Sequence, residues 1–112
     1  MADADKKRGS IRIPVAVTEV KICDEKKCFL GYARNVSLTG IFVQADTPKD
    51  VGEECDVEFI IPTTNRDVHV RCRVIWNRMF SEAGDYEPGM GLRFEDLDPD
   101  AEREIEAWIF SQ

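Results

Sequence analysis

The sequence predicts a mainly β protein, with about six strands in an antiparallel barrel or sandwich and one helix closing the C-terminus. Three observations predict it. Apolar and polar residues alternate in steps of two through most of the chain, which is the period of a half-buried strand. The alternating runs are joined by short polar segments or segments bearing glycine or proline, as hairpins are. Only the C-terminal segment changes to a helical period, and it does so behind a capping sequence. A chain of 112 residues suits one domain with one core, and 43% hydrophobic against 33% charged residues lies far from the composition of disorder.

Residues 1–10 are polar and basic toward their end and form a flexible N-terminal arm, which leaves 11–112 as a single domain. Residues 11–22 alternate branched apolar with polar or small side chains, the odd positions from 11 to 17 facing one side and Pro14 marking a sheet edge. Asp24-Glu25-Lys26-Lys27 is a four-residue turn, and residues 28–35 are the returning strand. Gly40-Ile41-Phe42-Val43-Gln44 is a third strand, stopped by Thr47-Pro48-Lys49-Asp50 and a turn at Gly52. Residues 55–61 alternate again, 62–67 are a hairpin loop, and 68–76 place Val68, Val70, Cys72 and Val74 on one side with His69, Arg71 and Arg73 on the other. After the loop 77–88, Gly89-Met90-Gly91-Leu92-Arg93-Phe94 is the last strand, whose two glycines indicate close backbone approach or a bulge. The helix spans 98–110: Asp98 caps it, Pro99 takes the first position, and Ala101, Ile105, Trp108 and Ile109 share one face.

Charge and composition exclude several functions. A net charge of −7 and a pI near 4.7 oppose general affinity for DNA, RNA or anionic lipid. No apolar run approaches the ~20 residues of a membrane helix, so no membrane insertion is expected. The charged start lacks the apolar stretch of a signal peptide, which makes a cytoplasmic location the expectation. In that compartment Cys23, Cys28, Cys55 and Cys72 are expected to be reduced core thiols. His69, the single histidine, has no second histidine or clustered carboxylate at metal-ligand spacing, so no metal site and no metal cofactor are assigned. No base stands beside a nucleophile at a recognisable spacing, and the chain is read as a non-enzyme without catalytic residues.

Two segments carry functional information. In Lys7-Arg8-Gly9-Ser10-Ile11-Arg12, arginines four apart emerge from the arm of an acidic protein. In Asn35-Val36-Ser37-Leu38-Thr39-Gly40, hydrogen-bonding residues alternate with apolar ones and end in glycine between two strands. Taken alone, the first is a solvated tail and the second an ordinary turn. Together, Arg-x-x-x-Arg before the first strand and Asn-x-Ser-x-x-Gly after one hairpin resemble the signature of PilZ domains, bacterial receptors of cyclic di-GMP. The resemblance runs from about Lys7 to Ile109 and includes Arg12-Ile13-Pro14-Val15, Gly40-Ile41-Phe42-Val43, Val74-Ile75-Trp76 and the strand 89–94. It implies a six-stranded antiparallel barrel with a C-terminal helix, in agreement with the pattern read from the residues.

The resemblance also implies a site. Cyclic di-GMP offers two phosphodiester charges and two guanine edges with O6 and N7 acceptors, targets that fit the planar fork of arginine. Arg8 and Arg12 supply the forks and Lys7 a phosphate contact. Asn35 and Ser37, exposed by the turn, bond the guanine edge and phosphate or ribose, while Gly40 admits the close backbone or a φ closed to other residues. Trp76 has two readings, stacking on a guanine or packing at the rim of the core. The family departs from this chain in often having paired arginines at the start of the arm and a bulky residue within Arg-x-x-x-Arg, where this chain has Lys7-Arg8 and Gly9-Ser10. The expected function is a cyclic di-GMP receptor and adaptor, a monomer or weak dimer, whose arm orders over the ligand. The altered surface then acts on an unidentified protein partner in motility, pili, exopolysaccharide or another second-messenger output. The alternative is a PilZ-like interaction module that binds no nucleotide.

Overall fold

The computed structural model describes residues 13–79 and 87–111, with side chains from Thr18 onward. Six strands, β1 (Ile13–Cys23), β2 (Cys28–Val36), β3 (Gly40–Gln44), β4 (Glu54–Ile61), β5 (Arg66–Arg78) and β6 (Gly89–Phe94), precede a helix, α1 (Pro99–Phe110). They form a closed antiparallel barrel in the order β1-β2-β3-β6-β5-β4, which leaves no open sheet edge. The expectation of a barrel or a sandwich resolves to the barrel.

Closure follows from the apolar faces. Val20 and Ile22 of β1, Ile41 and Val43 of β3, Val57 and Phe59 of β4, and Met90 and Leu92 of β6 all point inward and are buried. Helix α1 packs against β4 through Ala101, Ile105, Trp108 and Ile109, with the Trp108 and Phe59 rings 6.3 Å apart. The Asp98 side chain accepts the Ala101 N–H at 3.3 Å, satisfying one of the donors that every helix start leaves free. Arg66, at the start of β5, pairs with Asp98 at 3.1 Å and Glu104 at 2.6 Å and so ties the β4–β5 hairpin to the helix.

Strict alternation holds along β4 and the first part of β5, where Val68, Val70, Cys72 and Val74 are buried and His69 and Arg71 exposed, as expected. Elsewhere it is interrupted. In β5 both Val74 and Trp76 find partners on β6 at successive positions, Leu92 and Gly91, so Ile75 is an extra residue. In β2, Ala33 and Asn35 likewise meet Val43 and Phe42, with Arg34 the extra residue. A third irregularity lies between Pro14 and Thr18 of β1, past which the core residues are the even-numbered Thr18, Val20 and Ile22. The expected facing of odd positions 11–17 falls on side chains outside the described ones. Such shifts reverse which face a side chain takes, and period-two reading cannot detect them.

The cysteines correct an expectation. Cys23 and Cys28 are direct partners across the β1–β2 hairpin and form a disulfide, while Cys55 and Cys72 face each other across β4 and β5 as buried free thiols. Only the second pair matches the reduced core thiols expected of all four. The hairpin turn is otherwise as read: the Asp24 carboxylate accepts the N–H groups of Lys26 and Lys27 at 2.8 and 2.9 Å. Lys49, from the β3–β4 connection, pairs with the same carboxylate, and these bonds hold the Asp24 carboxyl well below the usual carboxylate range.

Candidate functional site

The segment Asn35-Val36-Ser37-Leu38-Thr39-Gly40 joins β2 to β3, and its hydrogen bonds explain its composition. The Ser37 hydroxyl oxygen accepts the N–H groups of Thr39 and Gly40 at 3.2 and 3.1 Å, and lies 3.2 Å from both the Thr39 hydroxyl and the Gly40 carbonyl. The Ser37 N–H closes the turn on the Gly40 carbonyl at 2.8 Å. The side chain is fully buried. This corrects the expectation that the turn exposes Ser37: the hydroxyl is enclosed because it substitutes for the backbone bonds a tight connection loses.

Gly40 is required by close approach rather than by a left-handed φ. A Cβ there would stand 2.1 Å from the Leu92 carbonyl oxygen, because β6 passes directly beside it, and the Phe94 N–H bonds the Thr39 carbonyl at 2.8 Å. The turn is therefore sewn to β6. Its outward product is Asn35, half-buried, which the extra residue Arg34 turns away from the face that Ala33 occupies.

From Asn35 a single row crosses the barrel wall. Asn35 pairs with Phe42, Phe42 with Gly91 and Gly91 with Trp76. The Phe42 and Trp76 rings stack with centroids 5.2 Å apart and planes 6° from parallel, and the Arg78 guanidinium lies 5.2 Å from the Phe42 centroid on its ring face. Both β6 glycines make room for this cluster. A Cβ on Gly91 would stand 2.3 Å from the indole Nε1, and one on Gly89 would stand 2.6 Å from Phe42 Cζ. Trp76 stays 37% exposed, whereas Phe42 beneath it is only 6% exposed. Trp76 thus takes an outward position, held flat on the Phe42 ring and partly exposed.

Around the row, Arg34 donates to the Gln44 side chain at 3.1 Å and approaches Glu87 at 3.8 Å, and Arg78 Nε donates to the Glu87 carbonyl at 2.9 Å. The face is polar and aromatic. Clefts of about 430 Å³ lie against β1, β4 and β5. Sequence reasoning missed Phe42 and Arg78. The signal was Gly89 and Gly91 spaced by two, since glycines at that period on one strand provide seats for rings from its neighbours.

The structure brings Asn35, Ser37, Gly40 and Trp76 to one side of the barrel, the first three in the turn and the fourth across β3 and β6. Lys7, Arg8 and Arg12 lie outside the described residues. The strand that follows them enters the barrel at this place: Ile13 pairs with Val36 and Pro14 with Asn35.

Comparison with known proteins gives the family and the fold. The family model of the PilZ domain matches residues 6–111, and the chain belongs to that family. Its fold resembles that of the Bacillus subtilis inhibitor of motility MotI/DgrA, with a TM-score of 0.75 and 20% identity over 90% of this chain and 48% of that one. It also resembles the PilZ domain of Escherichia coli YcgR, solved with c-di-GMP, at a TM-score of 0.71 and 17% identity over 90% and 87% of the two chains. The PilZ domain of CeSA from a cellulose-synthesising bacterium matches at 0.65 and 15% over 91% and 97%. The chain spans about half the length of the Bacillus protein. No curated protein matches the sequence significantly.

Proposed function

We propose that this chain is a cyclic di-GMP receptor and adaptor, not an enzyme, that acts in the cytoplasm. Lys7, Arg8 and Arg12 hold the two phosphates and the guanine edges, Asn35 bonds a guanine or ribose edge, and Trp76 stacks on a base. Ser37 and Gly40 serve by fixing the turn that presents Asn35 rather than by touching the ligand themselves. The arm, residues 1–10, orders over the nucleotide and so gives domain 11–112 a new surface for a protein partner. Motility, pili, exopolysaccharide or another second-messenger output follows from that partner, with the receptor a monomer or weak dimer.

The observation that carries this reading is the register of β1 on β2. It sets Ile13, which follows Arg12 in the sequence, against Val36, which follows Asn35, so the chain that leaves the arginine segment enters the barrel beside the turn, which supports a site shared by the two motifs. An arm with so little apolar content, whose cations repel one another, gains its ordering partner when phosphate arrives.

Titration of the full chain with cyclic di-GMP in a calorimeter tests this, followed by amide exchange with and without the ligand. Saturable binding with protection appearing around Lys6 to Ser10, absent with inorganic polyphosphate, is expected. No binding would leave the nucleotide-free interaction module, and equal protection by polyphosphate would reduce the arm to a nonspecific basic tail.

A further inference from the structure

The β4–β5 ladder gathers a second constellation on a different part of the barrel wall. Glu58 and His69 are direct cross-strand partners, and Asp67, two residues before His69, shares its outward face. His69 Nε2 lies 3.4 Å from a Glu58 carboxylate oxygen and 3.2 Å from one of Asp67, and the three potential ligand atoms all fall within 4.8 Å of one another. This corrects the expectation that His69 has no carboxylates at ligand spacing. The spacing to Glu58 is set by strand register, which the linear sequence does not show, and Asp67 falls in residues read there as hairpin loop.

Two carboxylates converge on one nitrogen, and a single N–H cannot donate well to both. Neither has a lysine or arginine partner among the described residues, although Lys21 stands opposite Glu58 in the β1–β4 register. By contrast Glu54 and Asp56, further along the same strand, both pair with Arg71. We propose that Glu58, Asp67 and His69 form a surface site for a divalent transition-metal ion of the Zn²⁺ class. One imidazole with two carboxylates is a donor set such ions accept, with water completing the shell. Two donors each about 2.1 Å from a tetrahedral metal stand about 3.4 Å apart, near the separations already present between Nε2 and the two oxygens. A cleft of about 430 Å³ bordered by Lys21, Glu58, His69 and Arg71 opens on the Glu58 and His69 side of the cluster. Trp76 lies seven positions beyond His69 along extended β5, roughly 20 Å, so the ion and a nucleotide on the aromatic face need not compete.

The test is titration of the untagged, oxidised full chain with ZnCl2, followed by amide chemical shifts and by thermal melting. Saturable one-to-one shifts centred on residues 58 and 67–69 are expected, together with a Tm that rises with ZnCl2 concentration. His69→Ala and, separately, Glu58→Gln should each weaken binding about tenfold or more, and both positions are exposed enough for the variants to fold. CaCl2 should not reproduce the shifts. The proposal is overturned if no saturable shifts occur, if binding survives His69→Ala, or if Ca²⁺ binds as well as Zn²⁺, which would mark an ordinary acidic surface.

Discussion

The two halves of the barrel wall handle their outward side chains in different ways. Along β4 and the first part of β5 the ladder is regular and its outward arginines are already matched by acids. Arg71 meets Glu54 and Asp56, and Arg73 meets Glu54 and Glu95. Across β2, β3, β6 and the end of β5 the ladder is bulged, and it presents an amide, two stacked rings and a guanidinium lying on a ring. In an acidic protein the difference decides where an anion can be recognised. Paired arginines on the regular half have their charge answered within a few ångströms, so a phosphate arriving there must displace a carboxylate. The bulged half offers stacking and hydrogen bonding beside Arg34 and Arg78, and on the function proposed above the arm adds its cations there.

The severest way to break the bulged half is Gly40→Val. A side chain there meets the β6 backbone at 2.1 Å from Leu92 O, and a carbonyl in a closed ladder cannot step aside. A loss of about 3 kcal/mol of stability is expected, read from urea unfolding. A variant as stable as the parent would show that β6 can yield. Next come Arg8→Ala and Arg12→Ala, each expected to weaken cyclic di-GMP binding by about 1–3 kcal/mol, or ten- to a hundredfold by calorimetry, with the melting temperature unmoved. Unchanged affinity in both would remove the arm from the site.

These predictions rest unequally on the sequence, for physical reasons. The strands β3 and β6 and the cap at Asp98 were legible because turn chemistry and capping are local. The regular half was legible because its alternation is unbroken from Val68 to Val74. The outward placing of Trp76 was not, since Ile75 shifts the period by one and nothing in Val74-Ile75-Trp76 announces it. Ser37 was recognised as part of a motif but placed on the wrong side of the turn, its hydroxyl being consumed by the backbone. The cysteines were misread for a different reason: Cys23 and Cys28 could be seen to face each other across the hairpin, but an expected reducing compartment argued for free thiols, whereas the pair is a disulfide and only Cys55 and Cys72 are buried free thiols. Thiol titration of the unfolded chain should therefore count two, rising to four after reduction. In the folded chain at neutral pH the two should resist alkylation, because burial pushes the Cys55 thiol up to about 11 and raises that of Cys72 as well.

Trp76→Ala sharpens the comparison at its aromatic end. If a guanine stacks on the outer face of the indole, removing it weakens cyclic di-GMP binding by about 1–2 kcal/mol. Gly91→Ala reaches the same ring from beneath, since the new Cβ would crowd Nε1 and push the indole off Phe42. It should change tryptophan fluorescence and lower affinity in the same direction as Trp76→Ala, by a smaller amount. A Gly91→Ala protein with parental fluorescence and affinity would mean that the stack adapts and the glycine is not its seat.

The smallest effect belongs to the regular half and gives the comparison its control. Arg73→Ala removes a guanidinium that pairs with Glu54 at 2.5 Å and Glu95 at 3.4 Å, at a site where both Arg73 and Glu54 are more than a third exposed. Glu54 keeps Arg71 at 3.1 Å and Glu95 keeps Arg93 at 3.3 Å, so neither acid is left without a cation. Exposed pairs contribute little to stability, and one with a standby partner contributes less, so the loss should stay below about 1 kcal/mol. Affinity for cyclic di-GMP should be unaltered at moderate salt, where screening removes what remains of the long-range charge change. The same substitution at Arg12 is expected to cost at least tenfold. Should Arg73→Ala weaken binding as much as Arg12→Ala does, the distinction between the two halves of the wall would fail, and the nucleotide would have to sit on the charged ladder instead.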